Sequence, residues 1–104
     1  MNPLPYHPKP KKGYTYITTN KNNTVLYTGA TSDLNYRAES HKTKKYKNAF
    51  SARYNADKLV WYEEFETIAE ALKREKQLKA GSRQKKIDLI NGMNPEWKDL
   101  YYGL

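Results

Sequence analysis

The sequence predicts a small α+β domain, and three observations carry that prediction. Two segments dense in β-branched and aromatic residues, "YTYITT" at 14–19 and "TVLYTGA" at 24–30, flank a turn-forming "NKNN". A third such segment, "KLVWYEEF", follows at 58–65. Capped stretches with apolar residues three and four apart come after the second and third segments and read as helices.

Residues 1–12 hold four of the five prolines and three lysines, the mark of a mobile or extended basic arm, so the domain is expected over 13–100 with a short tail at 101–104. The first two strands read as a hairpin. A turn centred on Lys21 and Asn22 places Tyr16 directly opposite Tyr27 and Tyr14 opposite Gly29, with two phenols on one face. Ser32 is the expected cap of a helix starting at Asp33, whose carboxylate suits the positive end of the helix. Leu34, Arg37, Ala38 and His41 then fall at i, i+3, i+4 and i+7, so Arg37 and His41 share the stripe that looks back at the sheet. Residues 43–57 form a basic, tyrosine-containing connection with some helical character. After the third strand, Thr67 and Glu70 have the form of a capping box and open a helix through about Lys79. Its stripe runs Ile68, Ala71, Leu72, Glu75, Leu78, with a carboxylate where a leucine is expected. Gly81 offers a left-handed stop, and Ser82 caps a third helix with Ile87 and Ile90 inward and Arg83, Lys85 and Lys86 outward. Trp97 is expected on the core, with the chain fraying beyond it.

Composition bounds the chemistry. The chain has 104 residues, room for one core, and a mean hydropathy of -1.05 that makes its surface very polar. Ten tyrosines against two tryptophans and two phenylalanines suit a half-wet surface. A net charge of +8 and a pI near 9.6 point to a polyanion, nucleic acid first, although charge also serves solubility alone. No stretch is apolar and long enough to span a bilayer, and the first residues lack the apolar core of a signal peptide, so a cytosolic protein that meets no membrane is expected. With no cysteine there is no disulfide, no thiolate nucleophile and no cysteine zinc site.

The residues that converge are paired tyrosines, an arginine, a histidine and a semi-buried glutamate. Each has an ordinary reading: tyrosines across strands pack, Arg37 and His41 form an i, i+4 pair on a solvated helix, and Glu75 swings to Arg74 or to a lysine of the third helix. A carboxylate on an apolar stripe nevertheless requires a cation or solvent access.

Tyr14-Thr15-Tyr16, with Tyr16 eleven positions before Tyr27 of Tyr27-Thr28-Gly29, resembles the two motifs that name the GIY-YIG nuclease superfamily. The resemblance continues through Arg37, His41 and Glu75 in "REKQLKAGSRQKK", covers Gly13 to about Leu100, and is strongest to the small standalone branch related to the nuclease domain of the bacterial nucleotide-excision-repair endonuclease. It implies a three-stranded antiparallel sheet flanked by helices and one divalent metal, Mg2+ or Mn2+, held by Glu75. Tyr16 and Tyr27 would flank the scissile phosphate, one of them deprotonating the attacking water. Arg37 would hold a nonbridging oxygen, and His41 would carry a proton or orient a neighbour. Gly29, lacking a Cβ, would admit substrate backbone or Tyr14 across the hairpin. A free phenol with a pKa of about 10 needs cationic neighbours to act as a base at neutral pH. Thr28 stands for the family's usual Ile, Ala30 stands where the repair enzyme carries a lysine, and an asparagine completing some family sites corresponds to Asn91 or Asn94.

The expected activity is therefore DNA phosphodiester hydrolysis by a monomer, with RNA and branched or damaged DNA as alternative substrates and no small-molecule cofactor. Lys44, Lys45, Lys47, Arg83, Lys85 and Lys86 would position phosphates without reading bases. A nucleic-acid-binding module without turnover, or a protein-interaction domain with an incidental basic face, are the competing readings.

Overall fold

A computed structural model describes residues 11–45 and 49–104. The elements run β1 (Gly13–Thr19), β2 (Leu26–Thr31), α1 (Leu34–Thr43), α2 (Phe50–Arg53), β3 (Lys58–Phe65), α3 (Ile68–Ala80), α4 (Arg83–Met93) and a 3-10 turn at Leu100–Gly103. The sheet is antiparallel throughout, in the order β2-β1-β3, as the expected fold class requires. Its centre, β1, is buried from Thr15 to Thr19, because neighbours cover both its edges and both its faces.

Alternation along β1 divides the core in two. Ile17 points into a cluster with Val60, Trp61, Leu78 of α3 and Ile90 of α4. Tyr16 points the other way, into a cluster with Leu34 and Ala38 of α1 and Leu59, backed by Tyr14, Tyr27, Tyr62, Leu100 and Tyr101. Burying both faces requires the helices to sit on opposite sides of the sheet. An irregularity between Ile17 and Thr18 in the pairing with β3 skips Val60, which lets Val60 and Trp61 join the same cluster.

The hairpin register differs from the expected one by two residues. Tyr16 pairs with Gly29, Thr18 with Tyr27 and Tyr14 with Thr31. The turn itself forms, with the Asn23 N–H donating to the Asn20 carbonyl at 3.0 Å. Asn20 then continues to act: its Oδ1 accepts from the N–H groups of Thr24 and Val25 at 2.7 and 3.0 Å, keeping both out of the ladder, which starts at Leu26. A shift of two preserves every face, so Tyr16 and Tyr27 remain neighbours, now on a diagonal.

Helix ends depart from expectation at two places. Asp33, not Ser32, caps α1: Thr31 Oγ1 accepts the Asp33 N–H at 3.1 Å and keeps that residue extended, while Asp33 Oδ1 accepts from Tyr36 N–H at 3.0 Å. Gly81 is extended, with φ -83°, rather than left-handed, because Ser82 caps α4 at once and the chain has no room to reverse. Thr67 and Glu70 do open α3, the Glu70 N–H donating to Thr67 Oγ1 at 3.3 Å.

The apolar stripe of α3 is narrower than predicted. Thr15 Oγ1 donates to the Ala71 carbonyl at 2.7 Å, and Gly13 faces Ala71 and Ile68 so closely that a Cβ there would lie 2.7 Å from each. That contact line runs through Ala71 to Leu78 and leaves Leu72 at the flank, 49% exposed. The C-terminus does not fray. Asp99 Oδ1 accepts from the N–H groups of Leu59 and Tyr101 at 3.2 and 3.1 Å, Lys42 closes an ion pair on the same carboxylate, and Leu100 and Tyr101 pack on the Tyr16 cluster. Trp97 packs against the other cluster.

Two glycines make opposite predictions. Gly13→Ala drives a methyl into helix backbone and should lower the unfolding free energy in urea by about 1–3 kcal/mol. Gly92→Ala, in α4 with nothing within 4 Å of its added Cβ, should raise it by about 0.5–1 kcal/mol.

Candidate active site

The site is built around one close approach between strands. The Tyr16 ring lies over its partner Gly29, where a Cβ would stand 2.4 Å from the phenol oxygen and 2.5 Å from Cζ. The residue that needs Gly29 bare is therefore Tyr16 rather than Tyr14. With the ring so placed, the Tyr16 hydroxyl meets His41 Nε2 of α1 at 2.9 Å in a buried hydrogen bond. Tyr16 is 2% and His41 8% exposed.

Burial governs the charge states of this pair. Desolvation lowers the His41 pKa to about 4, and the Arg37 charge pushes the same way, so the imidazole is neutral at physiological pH. Tyr16 is pushed well above the ordinary phenol range by desolvation first, with Tyr27 and Glu75 adding to the rise and Arg37 opposing it. Both groups are uncharged at neutral pH, as a buried bond between them requires.

Tyr27 closes the cluster on its wetter side. Its ring centroid lies 6.3 Å from Tyr16 and 5.4 Å from His41, the latter edge-on. On its other flank Phe50 lies nearly parallel at 6.0 Å. Arg37, one turn before His41, is half-buried and acts electrostatically on both His41 and Tyr16. Glu75 comes from α3, which packs over β1 and β2, and its charge reaches the Tyr16 hydroxyl. Its side chain keeps 21% exposure and is ion-paired at 3.7 Å with Lys79 of the same helix, rather than with Arg74, which bonds Glu63 at 3.0 Å.

A divalent ion fits this donor set in only one way. Among the described residues no group of three His, Cys, Asp or Glu side chains converges, so a closed protein cage is absent. Magnesium accepts a single carboxylate when water and substrate phosphate complete its shell, and the partly exposed Glu75 carboxylate, paired now with the exposed Lys79, is suited to that.

The other predicted residues are dispersed. The Tyr14 hydroxyl donates to Glu64 Oε1 at 3.2 Å, beside the Lys12–Glu64 ion pair and away from Tyr27. Lys44 and Lys45 are exposed just past α1, Lys45 lying over the Tyr36 ring, while Lys47 is outside the described residues. Arg83 is engaged in structure, its Nη2 donating to the Thr24 carbonyl at 2.9 Å, and Lys85 and Lys86 belong to α4 on the Ile17 side of the sheet. Neither candidate asparagine enters the site. Asn94 Nδ2 donates to the carbonyls of Val60 and Lys98 at 3.1 and 2.8 Å, and Asn91 Oδ1 accepts from Trp97 Nε1 at 2.7 Å. Thr28 stays buried on the face away from Tyr27. Phe50 was not anticipated; its i, i+4 spacing to Tyr54 inside the basic connection is the sequence signal that marks it.

The pair's protonation makes a signed prediction. The folded His41 pKa lies below the unfolded value near 6.5, so its stabilising contribution is complete above pH 6.5 and is lost as pH falls toward 4. Urea denaturation should show a loss of about 3 kcal/mol between pH 7 and pH 4 assignable to this group, with His41→Gln flattening that slope. Gly29→Ala should displace the Tyr16 ring and cost about 1–3 kcal/mol in the same assay at pH 7.

Comparison with known proteins fits this geometry. The GIY-YIG catalytic domain family matches residues 12–88. A UPF0213 protein of Syntrophus aciditrophicus is 38% identical over 85 residues, 82% of this chain and 95% of that protein. Another, from Staphylococcus saprophyticus, is 40% identical over 84 residues, 77% of this chain and 95% of its own length. The solution structure of a UPF0213 protein from Bacillus halodurans superposes with a TM-score of 0.52 at 27% identity, covering 85% of this chain and 92% of that one. The family match begins just before the strand that carries Tyr16 and continues past the helix that carries Glu75, and on that footing the chain belongs to the GIY-YIG nuclease family.

Proposed function

We propose that the protein is a divalent-metal-dependent endonuclease that hydrolyses DNA phosphodiester bonds. The observation that carries the reading is the Tyr16–His41 hydrogen bond directly behind Tyr27, inside the fields of Arg37 and Glu75. Packing alone has no need of two phenols, an imidazole, a cation and a carboxylate in one place.

The two tyrosines have different roles in this proposal. Tyr16 is sealed from solvent and held protonated by burial, so it is a positioning residue rather than the group that touches water. In this proposal Nε2–H of neutral His41 donates to the Tyr16 oxygen and the Tyr16 hydroxyl donates to Tyr27, the sense in which that contact raises the Tyr16 pKa. A chain that donates outward in this way stabilises negative charge on the outermost oxygen, that of Tyr27, where the attacking water binds. Water then forms the new P–O bond and gives a proton to the deprotonated Tyr27 oxygen, while the bond to the departing sugar oxygen breaks and that oxygen takes up a proton from solvent. Arg37 holds nonbridging oxygens through its planar fork. Glu75 would hold the metal, which supplies charge neutralisation at the phosphate and leaving oxygen when bound. Lys44 and Lys45 contribute sequence-independent attraction to the backbone, in keeping with the +8 charge.

Nicking of supercoiled plasmid with Mg2+ or Mn2+ tests the reading. Tyr27→Phe should lower the rate by about 100- to 10,000-fold, the usual worth of a proton-transfer group, and Glu75→Gln should abolish nicking. Salt-sensitive DNA binding in EDTA together with no cleavage under either metal, and no effect of Glu75→Gln, would instead identify a binding module.

A further inference from the structure

We infer that Phe50 and Tyr54 form a stacking platform for an unpaired DNA base next to the scissile phosphate, so that the site acts on single-stranded or locally unpaired DNA. The inference rests on the phosphate site proposed above and names its substrate class.

Three observations support it. Phe50 and Tyr54 are each 47% exposed, and Phe50 belongs to neither core cluster. The rings are nevertheless ordered against one another: Tyr27 and Phe50 lie 21° from parallel at 6.0 Å, and Phe50 and Tyr54 are 4.6 Å apart. The ladder starts at the tyrosine that would meet the phosphate and ends beside a cation, the Arg53 guanidinium lying 5.9 Å from the Tyr54 ring centroid. Exposed aromatic rings beside a cationic path are the arrangement by which proteins hold single strands, each base laying a π-face on a ring while the backbone follows the charge. A paired base cannot use such a ring, since its faces are already covered within the duplex.

Binding in EDTA separates this from cleavage. The probe is a single-stranded oligodeoxynucleotide with one 2-aminopurine, compared with a fully paired hairpin of the same sequence and an RNA strand of equal length. The wild-type protein should quench the 2-aminopurine only in the single strand. Tyr54→Ala should weaken single-strand binding by about five- to a hundredfold and hairpin binding by less than twofold, while Tyr54→Phe, which keeps the ring, should bind as wild type. Equal weakening on both DNAs, absent quenching, loss in Tyr54→Phe, or tighter binding of RNA than of DNA overturns the platform. Because Tyr54 is exposed, Tyr54→Ala should keep the wild-type circular dichroism spectrum; Phe50→Ala is the second variant, expected to repeat the single-strand defect. Ring-dependent binding that survives while metals produce no cleavage would sink the hydrolase reading alone. Cleavage of plasmid by a protein indifferent to Tyr54→Ala would sink the platform alone.

Discussion

The arrangement depends on one buried hydrogen bond, 2.9 Å from the Tyr16 hydroxyl to His41 Nε2. A polar contact in that position is costly to leave unmade, since either partner without the other would be a desolvated donor or acceptor. Making it requires that β2 present bare backbone at Gly29, that Asp33 cap α1 so that His41 faces inward, and that the hairpin ladder begin at Leu26. Register, helix phase and one missing side chain are thus set by the same contact.

From that bond outward the environment grades from dry to wet. Tyr16 and His41 are sealed, Tyr27 and Arg37 are half-covered, Glu75 keeps partial exposure, and Phe50 and Tyr54 stand in solvent. Such a gradient suits phosphoryl chemistry, in which the protein supplies fixed dipoles and charges rather than covalent steps. Rigid inner groups hold their geometry because the core on both sides of β1 is packed, while the outer groups remain accessible to a chain of phosphates.

Much of the fold was legible because local signals agreed with one another. The β-branched segments gave three strands, the Thr67 and Ser82 caps gave α3 and α4, and the 3.6-residue period put Leu34, Arg37, Ala38 and His41 on one stripe. What failed was decided by contacts that a linear reading does not contain. Asn20 captured two backbone donors and moved the register; Thr31 captured the Asp33 N–H and moved a cap; Ala71 docked against Thr15 and left Leu72 outside. The C-terminal turn was illegible for the same reason, its anchor being the carboxylate of Asp99 against Leu59 and Lys42, far away in sequence. At the site, residue types and spacing identified the cluster, but only burial distinguishes the sealed tyrosine from the half-covered one, and only hydrogen-bond partners elsewhere in the fold separate Asn91 and Asn94 from the site.

The most direct measurement of the central contact is the imidazole nitrogen spectrum of His41 followed by 15N NMR from pH 5.5 to 8. A ring that stays neutral throughout, with its Nε2 resonance moved by Tyr16→Phe, is the predicted result. An imidazole that takes up a proton above pH 6, or one indifferent to loss of the Tyr16 hydroxyl, would contradict the account at its base.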